Sequence, residues 1–428
     1  MNYDFRQASS PTGLTDAEIR EMLAARFANG KKIGKVLILP PDISRLNSYA
    51  GPITGMICDL LPDAEIEIMP ALGTHIAMSE SEMDRMFPGV PHSRFREHRW
   101  REDVAYLGDV PGEFVREVSG GLLDNPIRVE INRRLLDKSY DLVISVGQVV
   151  PHEVVGMANF NKNIFVGCGG SGMINGSHFL GAMYGMENMM GRDCTPVHRV
   201  FDYAEQRYCM DIPLLYALTV TAPDASGTNV RSFALGRDRA MFAESVRVSQ
   251  QYNLNFLDKP LGKVVAYLDP EEFHTTWIGN KSIYRTRMAI ADGGELIVIA
   301  PGVHRFGEDL TNDGLIRKYG YVGREKVLRA VKENADLGEN LSVAAHLIHG
   351  SSDGRFTVTY APGHLTREET ESAGFRYLDP AEAAARYDVG KLKMGPNTVN
   401  GEEIYFVPNP ALGLWADRNR FDNAKPGE

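Results

Sequence analysis

His152, Lys162 and His178 stand ten and sixteen residues apart in a glycine-rich segment, PHEVVGMANFNKNIFVGCGGSGMINGSH, that runs from Pro151 to His178. An imidazole titrates near neutral pH and serves as general acid, general base or metal ligand. A lysine is most often plain surface, but it can also contact phosphate or form a covalent link to a carbonyl-like carbon. Gly167-Cys168-Gly169-Gly170-Ser171-Gly172 matches GxGxxG, whose glycines let backbone amides approach phosphate at a helix N-terminus. Asn163 to Val166 reads as a short strand before it, and a helix is expected from about Asn175. Gly167, Gly169 and Gly170 are therefore read as a phosphate cradle. A dinucleotide site is the weaker version, since the strand is meagre and no Asp or Glu closes a second strand about 20 residues on. His178 has no HxxxH or His/Cys partner, so a metal there would need most of its ligands from elsewhere, such as a cofactor.

Two earlier loops add polar groups. Asp42-Ile43-Ser44-Arg45 offers a guanidinium whose planar fork matches a carboxylate, or an Asp–Arg turn that merely ties down a loop. Gly73-Thr74-His75 offers another imidazole, which taken alone is more often a solvated or structural group. Paired with His152 it is more persuasive, because inverting a stereocentre needs a proton-handling group on each face of the reacting carbon.

The elements that must position these groups alternate. A Thr15–Glu18 capping box opens a helix through about Ala28, and Lys35 to Pro40 is a buried strand. Ile53 to Leu61 is helical, Ala64 to Met69 strand-like, Ser79 to Phe87 a capped helix and Asp141 to Val146 a further apolar strand. Asp42, Arg45, His75 and His152 all follow such strands, where open parallel sheets collect ligands. A second set comprises strands at Val264 to Leu268, Glu295 to Ala300 and Phe356 to Tyr360, with helices at Ser282 to Ala291 and Asn340 to His349. Arg192 to Lys259 gives no clear pattern. The expected fold is α/β: two α/β domains with mainly parallel sheets, residues 1–260 and 261–428, with the active site in the cleft between them.

The chain's 428 residues carry a net charge of -10, which leaves no basic excess for nucleic acid. Four scattered cysteines give neither a disulfide framework nor CxxC, and no apolar run is long enough to span a membrane. With no signal peptide evident at the N-terminus, a cytoplasmic protein is expected.

On these residues the chain resembles the lactate racemase family, the nickel-pincer racemases and epimerases of 2-hydroxy acids. The family pattern is an Asp-x-Thr-Arg turn, a Gly-Thr-His loop, Pro-His-x-x-x-Gly-x-Ser-Gly-Gly-x-Lys and a later His. Here these are Asp42-Ile-Ser-Arg45, Gly73-Thr-His75, Pro151-His152 with Gly156 and Lys162, and His178. The resemblance implies that Lys162 carries a nickel-pincer nucleotide, a pyridinium-3-thioamide-5-thiocarboxylic acid mononucleotide, and that His178 is the protein's ligand to nickel. His75 and His152 would be paired acid/bases, Arg45 would hold the substrate carboxylate, and Asp42 would lie beside the cofactor. Proteins that make the cofactor would be partners.

The departures bear on substrate. Ala158-Asn159-Phe160 replaces the family's Ser-Gly-Gly. Where lactate-specific members carry Tyr-Gln-x-x-Lys, this chain has Tyr284-Arg285-Thr-Arg287-Met288, and a substrate-enclosing tryptophan is replaced near Leu341. Tyr284, Arg285 and Arg287 then suggest a larger, more polar hydroxy acid than lactate, such as a sugar acid or dicarboxylate; the two arginines read equally well as surface charges. Two competing readings remain: an NAD(P)-dependent dehydrogenase using residues 167–172, and a non-catalytic sugar-acid binding protein.

Overall fold

The computed structural model describes residues 3–28, 32–224 and 227–423. The chain forms two compact units, one built from residues up to Leu180 with Met189–Asn253, the other from Gly181–Asn188 with the chain from Leu254 onward.

The first unit holds β1 (Tyr3–Gln7), β2 (Lys35–Leu39), β3 (Glu65–Ile68), β4 (Val104–Val110), β5 (Ile127–Asn132), β6 (Leu142–Gln148), β7 (Pro151–His152), β8 (Gly156–Met157), β9 (Leu214–Asp224) and β10 (Gly227–Gly236). Among the described residues the main sheet runs β1-β10-β9-β6-β2-β3. Its β9, β6, β2 and β3 neighbours pair parallel, while β1 and β10 add an antiparallel edge. The continuous apolar run Val36 to Leu39 is fully buried, as a strand covered on both faces requires. Helices Asp16–Ala28 and Ala50–Leu60 cover one face through Ile19, Leu23, Ile53 and Ile57, which pack on Val36, Ile38 and Ile144. In β3 the alternation of Glu and Ile does not mark an exposed face. Glu67 is buried and held by Arg96, Arg134 and Tyr140.

The second unit holds β11 (Leu254–Leu257), β12 (Leu261–Tyr267), β13 (Ile290–Ala300), β14 (Thr357–Pro362), β15 (Arg376–Tyr377), β16 (Gly395–Val399), β17 (Glu402–Val407) and β18 (Leu414–Asp417). Its main sheet runs β15-β14-β13-β12-β17-β16 and is parallel except at β16–β17, and β11 pairs with β18 apart from it. The chain is therefore α/β with parallel-rich sheets.

Three local expectations change. Asn163–Gly167 is a π-helical turn rather than a strand, and the helix after it begins at Ser171, not near Asn175. The helix expected over Ser282 to Ala291 spans Lys281–Thr286, because the chain has already entered β13 at Ile290. The region from Arg192 to Lys259, which gave no pattern, contains helices Pro196–Tyr208 and Arg239–Asn253 around the β9–β10 pair. Long antiparallel strands beside the parallel part of the main sheet interrupt the βα rhythm on which that reading relied.

Candidate active site

The polar groups of the first unit collect after β2, β3 and β6, three strands that are neighbours in the sheet. Asp42 follows β2 and caps the 3-10 helix Ile43–Ser48, accepting hydrogen bonds from the Ser44 amide and hydroxyl. Its second oxygen lies 2.6 Å from Nδ1 of His75, in the loop after β3. An ionised carboxylate only accepts, so Nδ1 of His75 carries a proton, and whenever the ring is neutral Nε2 is its acceptor. Burial opposes ionisation of Asp42, but the His75 charge and hydrogen bond, with those from Ser44, hold its carboxyl well below the usual range. His75 itself is exposed.

His152 lies on β7 and is buried. The Val154 amide donates to its Nδ1 at 3.1 Å, so the neutral ring carries its proton on Nε2. The neutral rings are thus set in opposite tautomers, with the proton on Nδ1 of His75 and on Nε2 of His152.

Lys162 opens the π turn. It is half-buried, and desolvation together with the Arg45 charge pulls its ammonium pKa down to about 8, against smaller opposing effects of Glu153, Asp42 and Cys168. About a tenth of the amine is then neutral and nucleophilic at pH 7, far more than for an ordinary lysine. His178 lies within the same electrostatic field. Burial, then Lys162, lowers its pKa to about 4, and Nδ1 donates to the Ile174 carbonyl at 2.7 Å. Its Nε2 is therefore left with a bare lone pair, the form in which a histidine binds a metal. Among the described residues no three His, Cys, Asp or Glu side chains converge to hold a metal by themselves. A metal at His178 would take its remaining donors from a cofactor, and a deprotonable amine beside a single neutral imidazole fits a group anchored on Lys162.

Arg45 makes no side-chain hydrogen bond or ion pair among the described residues, yet its charge is felt at Lys162. A cation without a carboxylate partner in such a site suits an anionic ligand.

The loop carrying Lys162 is held from several sides. Asn163 donates to the Leu39 carbonyl at 3.1 Å and to Ser145 Oγ at 2.9 Å, tying the turn to β2 and β6. The Gly73 amide donates to the Gly167 carbonyl, which joins the His75 loop to it. His98 Nε2 donates to the Gly169 carbonyl at 3.1 Å, while its Nδ1 accepts from Asn132. Before the lysine, Asn159 and Phe160 both take positive φ, 70° and 54°, where side chains are strained and glycine is not. The Phe160 ring packs on Tyr216 and Phe242, with centroids at 4.4 and 5.0 Å, and this holds the conformation.

The glycines serve the protein itself. The Gly170 amide donates to the Glu130 carbonyl and the Gly172 amide to the Glu130 carboxylate. A Cβ on Gly167 would meet Ala71 at 2.7 Å, and one on Gly169 would meet the Phe165 carbonyl at 1.8 Å. Two amides that a dinucleotide phosphate would require are occupied, one of them by a negative charge. Together with the π turn in place of a strand, this removes the support for a Rossmann-type cradle.

Tyr284, Arg285 and Arg287 belong to the second unit. Both arginines are buried, so neither is an ordinary surface charge. Arg287 bonds Glu187, Asp353 and the carbonyls of His349 and Ser351. Tyr284 meets His346 Nδ1 at 2.8 Å, and Tyr321 meets the other ring nitrogen at the same distance.

Sequence reasoning missed Glu153, whose charge acts on both Lys162 and His178. Its position next to His152 was the available signal. Asn163, His98 and Asn132 carried no signal, because their roles depend on strands distant in sequence.

No curated protein matches this chain. A structural-genomics crystal structure of a Thermotoga maritima protein is similar with a TM-score of 0.82 at 22% identity, covering 96% of this chain and 99% of that one. The lactate racemase apoprotein from Thermoanaerobacterium thermosaccharolyticum is similar with a TM-score of 0.66 at 17% identity, covering 94% and 93%. At these identities the likeness is one of fold. Residues 16–191 match the lactate racemase N-terminal domain. That match spans every candidate residue of the first unit.

Proposed function

We propose that the protein inverts C2 of a 2-hydroxy acid larger than lactate, with a nickel-pincer nucleotide attached to Lys162 and nickel held by His178. The match of residues 16–191 to the lactate racemase N-terminal domain supports a racemase or epimerase in general. The observation that carries the finer reading is the pairing of a pKa-lowered lysine with one neutral imidazole whose Nε2 lone pair is free of its Ile174 bond. When bound, the cofactor supplies a reversible hydride acceptor.

The chain's own residues handle position and protons. Arg45 holds the substrate carboxylate through its fork. His75 Nε2 takes the hydroxyl proton, and Asp42 stabilises the resulting imidazolium through Nδ1. The oxygen regains its proton from an imidazolium, either His75 returning the one it took or a protonated His152 supplying one, so that no neutral ring gives up its only N–H. Tyr284 and Arg285, carried by the second unit, are candidates for binding a polar group of the acid. The partners of Arg287 leave it to brace its unit. Proteins that make the cofactor are implied partners, and the four free cysteines suit a reducing cytoplasm.

The test is co-expression with cofactor-making proteins, followed by intact mass and chiral chromatography on lactate, malate and aldonates. The expected result is a Lys162 adduct, nickel and C2 inversion of a polar acid. Unchanged inversion by Lys162→Ala, or dissociable NAD without nickel, would overturn the reading.

A further inference from the structure

The helix that carries His178, Ser171–Tyr184, is divided between the two units: its residues up to Leu180 belong to the first and those from Gly181 to the second. The chain stays in the second unit as far as Asn188 and re-enters the first at Met189. Just beyond, the Gly191 amide donates to the Gly156 carbonyl at 3.0 Å. Gly156 is the strand partner of His152 in the β7–β8 pair. Residues 181–188 are thus flanked by the support of one histidine and the support of the other. We infer that Glu187 is a positioning residue for His178 and His152, tethering this segment so that the helix of the first and the hairpin of the second are set together.

The tether is made of charge-assisted bonds within the second unit. Glu187 Oε1 accepts from Arg287 Nε at 3.1 Å and from Arg355 Nη1 at 2.7 Å. Arg355 is itself fixed by the Arg287 and Ile290 carbonyls and by Asp292. Arg287 is buried, and a buried guanidinium that loses a carboxylate keeps an uncompensated charge, so the pair does not readily trade partners for water. A second hold, from Arg324 Nη2 to the Met183 carbonyl, grips the last turn of the helix itself.

That helix needs to be held. Gly172, Gly176 and Gly181 lie within it, and interior glycines weaken a helix through their backbone freedom. Close packing requires two of them: a Cβ on Gly172 would meet Arg128 at 2.6 Å and one on Gly176 would meet Ile127 at 2.8 Å, both on β5. The Gly172 amide, bonded to the Glu130 carboxylate at 2.9 Å, anchors the first turn. His178 stands between this anchor and the tether, with Gly181 less than one turn beyond it. On the return side the fit is equally tight. A Cβ on Gly156 would stand 2.2 Å from the Arg192 carbonyl and 2.7 Å from the Met189 carbonyl, and Thr195 Oγ1 donates to the Val155 carbonyl at 2.8 Å. A shift of residues 181–188 therefore reaches both histidines through short, closely packed backbone.

The roles of His178 and His152 rest on the function proposed above, but the setting of their rings does not, so the test reads the rings and not turnover. The experiment is a ring proton–carbon correlation spectrum of the full chain with isotope-labelled histidine, its signals assigned by single histidine substitutions. Glu187→Ala should shift the His178 and His152 signals and leave those of His92 and His98 in place. It should also speed amide exchange over Ser171–Tyr184 by on the order of tenfold, as loss of a charge-assisted bond implies. Glu187→Gln keeps an oxygen for the arginines and should return both signals most of the way. Arg324→Ala spares Glu187 and should shift His178 without His152. Shifts in Glu187→Ala confined to His346 and His349, with His178 and His152 unmoved, would overturn the inference. If Glu187→Ala does not fold, an unmoved His178 in Arg324→Ala overturns it instead.

Discussion

The carboxyl ends of the two main sheets carry similar residues in contrasting surroundings. After β2, β3 and β6 the side chains have partners: Asp42 fixes His75, the Val154 amide fixes His152, and burial drives Lys162 and His178 toward their neutral forms. After β12, β13 and β14 the imidazoles of His274, His304 and His364 are exposed, and the backbone beneath them is fixed. Similar fold positions thus supply two kinds of histidine. Desolvation and a hydrogen-bond partner set protonation in advance in the first region.

The strongest way to break this contrast is at Lys162. Lys162→Arg keeps the charge but not a nucleophilic amine, so racemisation of the loaded enzyme should fall to background on chiral chromatography. Asp42→Asn should lower kcat by on the order of 10²–10⁴-fold, because the amide no longer enforces the Nδ1–H tautomer of His75. An unaltered rate would show that the carboxylate is only a helix cap. Phe160→Gly restores the family's glycine and relaxes a strained φ, yet it removes the ring from Tyr216 and Phe242. A net loss of about 2–4 kcal/mol in urea unfolding is expected, since large-to-small core changes outweigh backbone relief.

The smallest effects separate buried from exposed imidazoles directly. His198, buried against Phe242 in the first unit, has its pKa lowered from 6.5 to about 3 by desolvation, then by Arg239. Between those values the unfolded chain binds the extra proton, so stability is present above pH 6.5 and is lost as pH falls toward 3. His198→Phe should flatten that acid limb by several degrees in melting temperature between pH 6.5 and 4. His304→Ala should leave it within about a degree, and an equal flattening would erase the distinction between the two regions.

Much of this was legible in the chain. The apolar run Val36 to Leu39 and the Ser79–Glu82 capping box form as their local patterns demand, because a buried strand and a helix N-terminus are specified by immediate neighbours. The glycine run was legible as a motif but not in its use. GxGxxG says that backbones approach closely, not what approaches. Here it is Glu130 on β5, some forty residues earlier in the chain. Asn163 behaves likewise, since its partners Leu39 and Ser145 lie on two other strands.

By itself the sequence determined the chemical inventory and its strand-end placement, because residue type and local periodicity are properties of short segments. It determined that His75, His152, Lys162 and His178 exist at family spacing. Only the tertiary structure decided their states: which nitrogen of each histidine faces a hydrogen-bond partner, how far the lysine's proton is loosened, and that Arg45 has no carboxylate partner among the described residues. Tautomer, pKa and pairing depend on desolvation and charge within a few ångströms, and those neighbours arrive from strands far apart in the chain.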